Sequence, residues 1–157
     1  MVEKDAVIER QHYKGLAWVA SMALFMQSLD ATILNTALPT IATDLQTPVF
    51  EMQMAIIAYS LAVALFIPLT AWAAAKFGTL TVFRSAVFTF VLGSVACAMA
   101  TSLETLVLAR ILQGIGGAFM MPVARLAIIQ TVPKNQLINA WNLMATAGLI
   151  GPILGPI

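Results

Sequence analysis

Five stretches of this chain are apolar over the length that a helix needs to cross a bilayer: residues 16–38, 52–75, 85–103, 106–129 and 136–157. About 20 such residues span the hydrocarbon core. The second, third and fifth stretches carry no charged side chain; the first carries only Asp30, and the fourth only Arg110 and Arg125. In lipid the backbone has no water to bond, so a spanning segment of this kind must satisfy its own N–H and C=O groups as a helix. The expected fold is therefore all-α, a polytopic membrane helix bundle. The connections are short, and Pro39, Pro48, Gly78 and Pro133 punctuate them as turn residues do.

Composition agrees. Hydrophobic residues make up 61% of the 157 and charged ones 10%, where a soluble domain carries about 25% charged. The mean hydropathy is +0.92. A net charge of +1 without any dense basic cluster gives no basis for binding nucleic acid. Residues 1–14 carry both signs of charge, and the apolar run after them continues to Leu38, too long for the core of a signal peptide. The first segment is expected to stay in the membrane, after a cytoplasmic tail over residues 1–15.

The lysines and arginines set an orientation. The tail has Lys4, Arg10 and Lys14, the second connection Lys76 and Arg84, and the fourth Lys134. The first and third connections contain neither residue type. Cationic residues cluster on one side, which places the N-terminus in the cytoplasm. Trp18, Trp72 and Trp141 fall near that inner interface, where indole rings anchor.

Two charges stand at similar depth. Asp30 lies roughly 12 Å below the outer surface and Arg110 roughly 8 Å, at the helical rise per residue. Each could relieve the other's cost of leaving water. Projected at helical spacing, Met22, Met26, Leu29 and Ile33 form an apolar stripe, while Gln27, Ser28, Asp30, Thr32 and Asn35 occupy the opposite side. Arg110, Gln113, Gly114 and Gly117 share a face of the fourth segment, where small residues admit a second backbone. An Asp30–Arg110 pair could serve packing alone. It could equally put Asp30 where water reaches it from one side and then the other, so that the carboxylate binds and releases a proton.

The chain closes on "AGLIGPILGPI". Pro152 and Pro156 each remove a backbone donor and bend a helix, and Gly151 and Gly155 are spaced for close helix contact. A packing seam and a bend at a gate both fit. Cys97, the single cysteine, excludes an internal disulfide, and its apolar neighbours suggest an inert thiol. His12 is the one histidine and sits among charges in the tail. With no metal-ligand, nucleophile–base or paired-carboxylate spacing in the spans, the chain reads as neither an enzyme nor a cofactor or metal binder. The nine methionines, Met120 and Met121 of the fourth segment among them, fit a pliable drug pocket or, more commonly, plain membrane-helix filler.

Together these segments resemble the major facilitator superfamily, and within it the fourteen-span drug/proton antiporters. "LDATILNTALP" (29–39) is similar to the first-helix motif, "RILQGIGGA" (110–118) to the fourth-helix motif, and "GPILGP" (151–156) to the opening of the antiporter motif in the fifth helix. The resemblance implies proton coupling through Asp30 and Arg110, and a cavity lined by Gln27, Asn35, Gln113 and Gly114. It implies a leak-preventing bend at Gly151, Pro152, Gly155 and Pro156, and a cytoplasmic-gate loop around Lys76 and Gly78. The implied activity is export of amphiphilic small molecules in exchange for protons by alternating access, across the inner (cytoplasmic) membrane. Its partners would be the lipid bilayer, substrate and protons, and the remaining helices of a longer transporter.

Two departures stand out. In the loop "AWAAAKFGTLT" (71–81), Ala71 and Ala75 replace the family's glycine and aspartate, and Leu80 and Thr81 its basic positions. The chain also ends on an apolar Ile157 without a polar flank, so it reads as the first five helices, the front third of a transporter. The competing reading is a truncated or decayed membrane protein that transports nothing, or serves only as an interaction partner.

Overall fold

The computed structural model describes the backbone of residues 2–154, with the side chains of residues 15–151 and of Ile153. Every regular element among the described residues is a helix: α1 (Val2–Asp44), α2 (Val49–Phe66), α3 (Leu69–Phe77), α4 (Thr79–Ala98), α5 (Leu103–Thr131) and α6 (Leu137–Leu154). Gly15–Asp44, Val49–Phe66, Thr79–Ala98 and Leu103–Thr131 are each long and apolar enough to cross a bilayer, and Leu137–Gly151 is a shorter apolar helix. The chain is a multi-pass membrane protein. Large apolar side chains such as Phe50, Leu61, Phe88, Leu108 and Leu149 lie exposed along these helices, as residues bordering lipid must.

Two helix boundaries differ from the sequence expectation, both at prolines. The first segment was expected to stop at Pro39, yet α1 runs through it to Asp44. Leu38 and Ala42 bury themselves in a cluster with Met52, Ala55 and Leu106, and that packing offsets the donor lost at Pro39. The helix stops at a Schellman turn instead. Thr47 N–H bonds Ala42 O at 3.0 Å and Gln46 N–H bonds Thr43 O at 3.2 Å, with Gln46 left-handed at φ 51° and Pro48 following. The second segment is two helices, α2 and α3, joined through Ile67 and Pro68, both with helical dihedrals. Pro68 has no N–H and its ring crowds the preceding turn, so the run bends there. At Gly78 the chain turns between α3 and α4 with φ 83° and ψ 142°, a conformation open essentially to glycine.

The chain forms two compact units, residues 33–123 and residues 1–32 with 124–157. In the 33–123 unit, α5 carries a double set of close approaches. A Cβ on Gly114 would stand 2.7 Å from Tyr59 O of α2, and one on Gly116 would stand 2.5 Å from Phe90 N of α4. Between helices in lipid no hydrophobic driving force acts, and such backbone proximity supplies dispersion contact in its place. Ser102 and Thr105 cap α5 reciprocally: Thr105 N–H bonds Ser102 Oγ at 3.3 Å and Ser102 N–H bonds Thr105 Oγ1 at 3.1 Å. In the other unit α1 and α6 meet where Ser28 Oγ donates to Gly148 O at 2.9 Å.

Candidate functional site

Arg110 is 3% exposed and Gln113 0%, one turn further along α5. Their i,i+3 spacing places both on one side of the helix. Arg110 Nη1 donates to Gln113 Oε1 at 2.8 Å, and the guanidinium carbon stands 5.8 Å from the centre of the Tyr59 ring. The opposite end of the Gln113 amide reaches α4, where Nε2 donates to Ser94 Oγ at 2.7 Å. Cys97 Sγ, one turn from Ser94, lies 3.6 Å from Gln113 Oε1. A buried cation thus meets the oxygen of an amide whose nitrogen is held by a hydroxyl.

The backbone explains why this arrangement is tight. A Cβ on Gly93 would come within 2.6 Å of Gln113 Cα, so α4 touches α5 where the glutamine leaves the chain. Gly114, expected as cavity wall, is buried, and a Cβ on it would meet Tyr59 O and Ala62 of α2. Its lack of a side chain lets Tyr59 sit beside Arg110. Cys97, whose apolar neighbours suggested full burial, is half-buried, with its sulfur against the polar amide of Gln113.

Gln27, Ser28 and Asp30 lie half-buried on α1 in the unit of residues 1–32 and 124–157, and Asn35, in the 33–123 unit, is exposed. Of the apolar stripe of the projection, Met22, Met26 and Ile33 are exposed too, and Leu29 is half-buried. Gly151 is buried, and a Cβ on it would stand 2.6 Å from Ser28 Oγ. Small size at this position lets α6 approach α1. Gly155 and Pro156 lie outside the described residues, as does the side chain of Pro152. An apolar groove of about 310 Å³ runs between α1 and α6, lined by Trp18, Met22, Phe25, Leu143 and Ile150.

At the end of α3, Lys76 Nζ stands 4.9 Å from the Trp72 ring centre and 5.4 Å from that of Phe77. In the last turn, its charge also complements the helix dipole. In the same manner Arg125 lies over Trp141, 5.7 Å from the ring centre. Among the described residues no group of three or more His, Cys, Asp or Glu side chains converges to hold a metal ion.

Sequence reasoning found Arg110 and Gln113 but missed Ser94 and Tyr59. The available signals were faint: the small pair Gly93–Ser94 within an apolar run, and Tyr59 as the one tyrosine beyond the tail.

Comparison with known proteins bears on what such a site belongs to. The family model of the Major Facilitator Superfamily matches residues 20–157. "Probable transport protein HsrA" of Haemophilus influenzae is 85% identical over 149 residues, covering 95% of this chain and 32% of that protein. "Putative multidrug resistance protein MdtD" of Salmonella typhi is 46% identical over 139 residues, covering 88% of this chain and 30% of the relative. The chain spans about a third of the length of these curated relatives. With nearly all of its bilayer-length helices inside the matched region, the chain belongs to the Major Facilitator Superfamily, a family of transporters and not of enzymes.

Proposed function

We propose that this chain supplies the first helices of a proton-coupled exporter of drugs or other amphiphilic small molecules in the inner (cytoplasmic) membrane. The observation that carries the reading is the burial of Arg110 within a bilayer-length apolar helix, gripped by Gln113 and flanked by Tyr59. An ionisable side chain so placed is costly, and proteins retain it for a substrate or ion path. Asp30 is the carboxylate that takes up and releases the proton, and Arg110 is its electrostatic counterpart. Gln27 and Asn35 face the transported molecule. Gln113 and Gly114 back that cavity, the first by holding the cation and the second by admitting α2.

Export then proceeds by alternating access, one bundle rocking against the other around the bound molecule. The N-terminus is cytoplasmic. Gly151, Pro152, Gly155 and Pro156 form a bend that limits leak, and Lys76 with Gly78 serves the inner gate. The MdtD relatives, named as multidrug resistance proteins, support drugs as the substrate class. Helices beyond this chain complete the pathway.

The test is Asp30→Asn in the full-length protein, assayed as proton-driven efflux of ethidium from everted vesicles. Loss of efflux with normal membrane insertion is expected. Efflux equal to wild type would remove the proton-carrier role. The competing reading, an inserted protein that does not transport, draws on Ala75 standing where the family loop carries an aspartate. It predicts no proton-dependent efflux from the wild-type protein either.

A further inference from the structure

We infer that Ser94 on α4 is a positioning residue for Arg110, acting through the amide of Gln113. A glutamine side chain has one oxygen that only accepts and one NH₂ that only donates. The guanidinium of Arg110 offers donors alone. Gln113 can therefore serve Arg110 through its oxygen only, and a flipped amide would set donor against donor at 2.8 Å.

Ser94 decides which way the amide points. Its Oγ takes the Nε2 hydrogen at 2.7 Å, which turns Oε1 towards Arg110. Neither end of this chain of bonds has room to drift. Gly93 brings the α4 backbone against Gln113 Cα, and Gln113 is 0% exposed, so no bulk water stands ready to replace the hydroxyl. Cys97 donates its thiol hydrogen to the same Oε1, with Sγ at 3.6 Å, so its reactivity reports on which way the amide points.

Ser94 and Cys97 of α4 thus reach the cation on α5 through one amide, with Gly93 packed against the backbone of the same glutamine. With Ser94→Ala the Nε2 hydrogen loses the hydroxyl that holds it, and the amide is no longer fixed in that orientation. Arg110 then loses the fixed oxygen at its Nη1. Because Arg110 is the proposed counterpart of the proton carrier, the inference rests on the proton-coupled reading above. A role in packing alone would lower stability or folding yield without altering how transport responds to proton concentration.

The experiment uses the full-length transporter in proteoliposomes, with ethidium as the transported probe and pH as the variable. Ser94→Ala is expected to lower initial efflux roughly tenfold, the scale of one buried hydrogen bond lost. It is expected to move the pH of half-maximal efflux by about one unit, a tenfold change in proton affinity. Ser94→Thr, which keeps a hydroxyl, should stay within about twofold of wild type. In a Gln113→Leu background Ser94→Ala should add nothing, since the two act on one bond.

An independent readout follows alkylation of Cys97 by N-ethylmaleimide, measured on its own peptide by mass spectrometry. Ser94→Ala should change that rate and Ser94→Thr restore it. An unchanged pH profile and an unchanged alkylation rate in Ser94→Ala would overturn the inference. So would full additivity with Gln113→Leu. Should wild type show no proton-dependent efflux, the functional reading falls, and the Cys97 rates alone then decide whether Ser94 orients the amide.

Discussion

A methyl group at Gly116 has nowhere to go. Its Cβ would stand 2.5 Å from Phe90 N, 2.8 Å from Ala86 O and 2.9 Å from Phe90 Cα. All three are backbone atoms of α4, so no change of rotamer relieves the clash. Bringing the nearest contact out to an ordinary 3.4 Å parts α4 from α5 by roughly 1 Å, enough to forfeit a quarter to a half of each dispersion contact along the seam. Overpacking of this kind costs about 1–3 kcal/mol. Alanine regains about 1 kcal/mol over glycine in a helix interior. The obstruction is backbone, so the clash outweighs the propensity, and Gly116→Ala should destabilise by a net of up to ~2 kcal/mol.

Gly148 supplies the control. It too lies inside a helix, but a Cβ there would meet nothing within 4 Å. Gly148→Ala should keep the propensity gain and stabilise by up to ~1 kcal/mol. Both variants can be unfolded in mixed detergent and SDS micelles, with loss of helix followed by circular dichroism. Opposite signs of shift are expected. A Gly116→Ala protein as stable as wild type, beside an unimproved Gly148→Ala, would refute the claim that backbone contact at Gly116 sets the α4–α5 spacing.

Gly78 tests conformation without crowding, since a Cβ there meets nothing within 4 Å while φ is +83°; Gly78→Ala should cost about 1–3 kcal/mol in the same unfolding assay, and a cost below ~0.5 kcal/mol would mean that the turn relaxes freely. Ser28→Ala removes the bond to Gly148 O at 2.9 Å, and a loss near 0.6 kcal/mol is expected from comparable bonds between membrane helices. No loss would mean that close packing at Gly151 alone holds α1 to α6.

Most of the architecture was legible in one dimension. The bilayer acts as a solvent that selects runs by length and lack of charge, so the apolar stretches, their helical state and the positions of Asp30 and Arg110 follow from composition alone. That Arg110 and Gln113 share a face was legible too, because both ride on one helix at i,i+3; the bond between them was not foreseen. Prolines misled the boundaries. Pro39 looks like a stop but lies within α1, while Pro68, which drew no attention, divides the second run into α2 and α3.

What no periodicity could reveal is the partner of each polar atom. Ser94 meets Gln113 across a separation of 19 residues, and Tyr59 reaches Arg110 from a different helix again. Those meetings depend on helix register, which the close approaches at Gly93, Gly114 and Gly116 decide. Apolar pattern marks the face of a soluble helix that must be buried, but in lipid the outward face is apolar too, and the pattern names no partner. The residues that enter the bilayer are therefore written along the chain. Which of them turns the Gln113 amide towards Arg110 depends on where two backbones come close enough to touch.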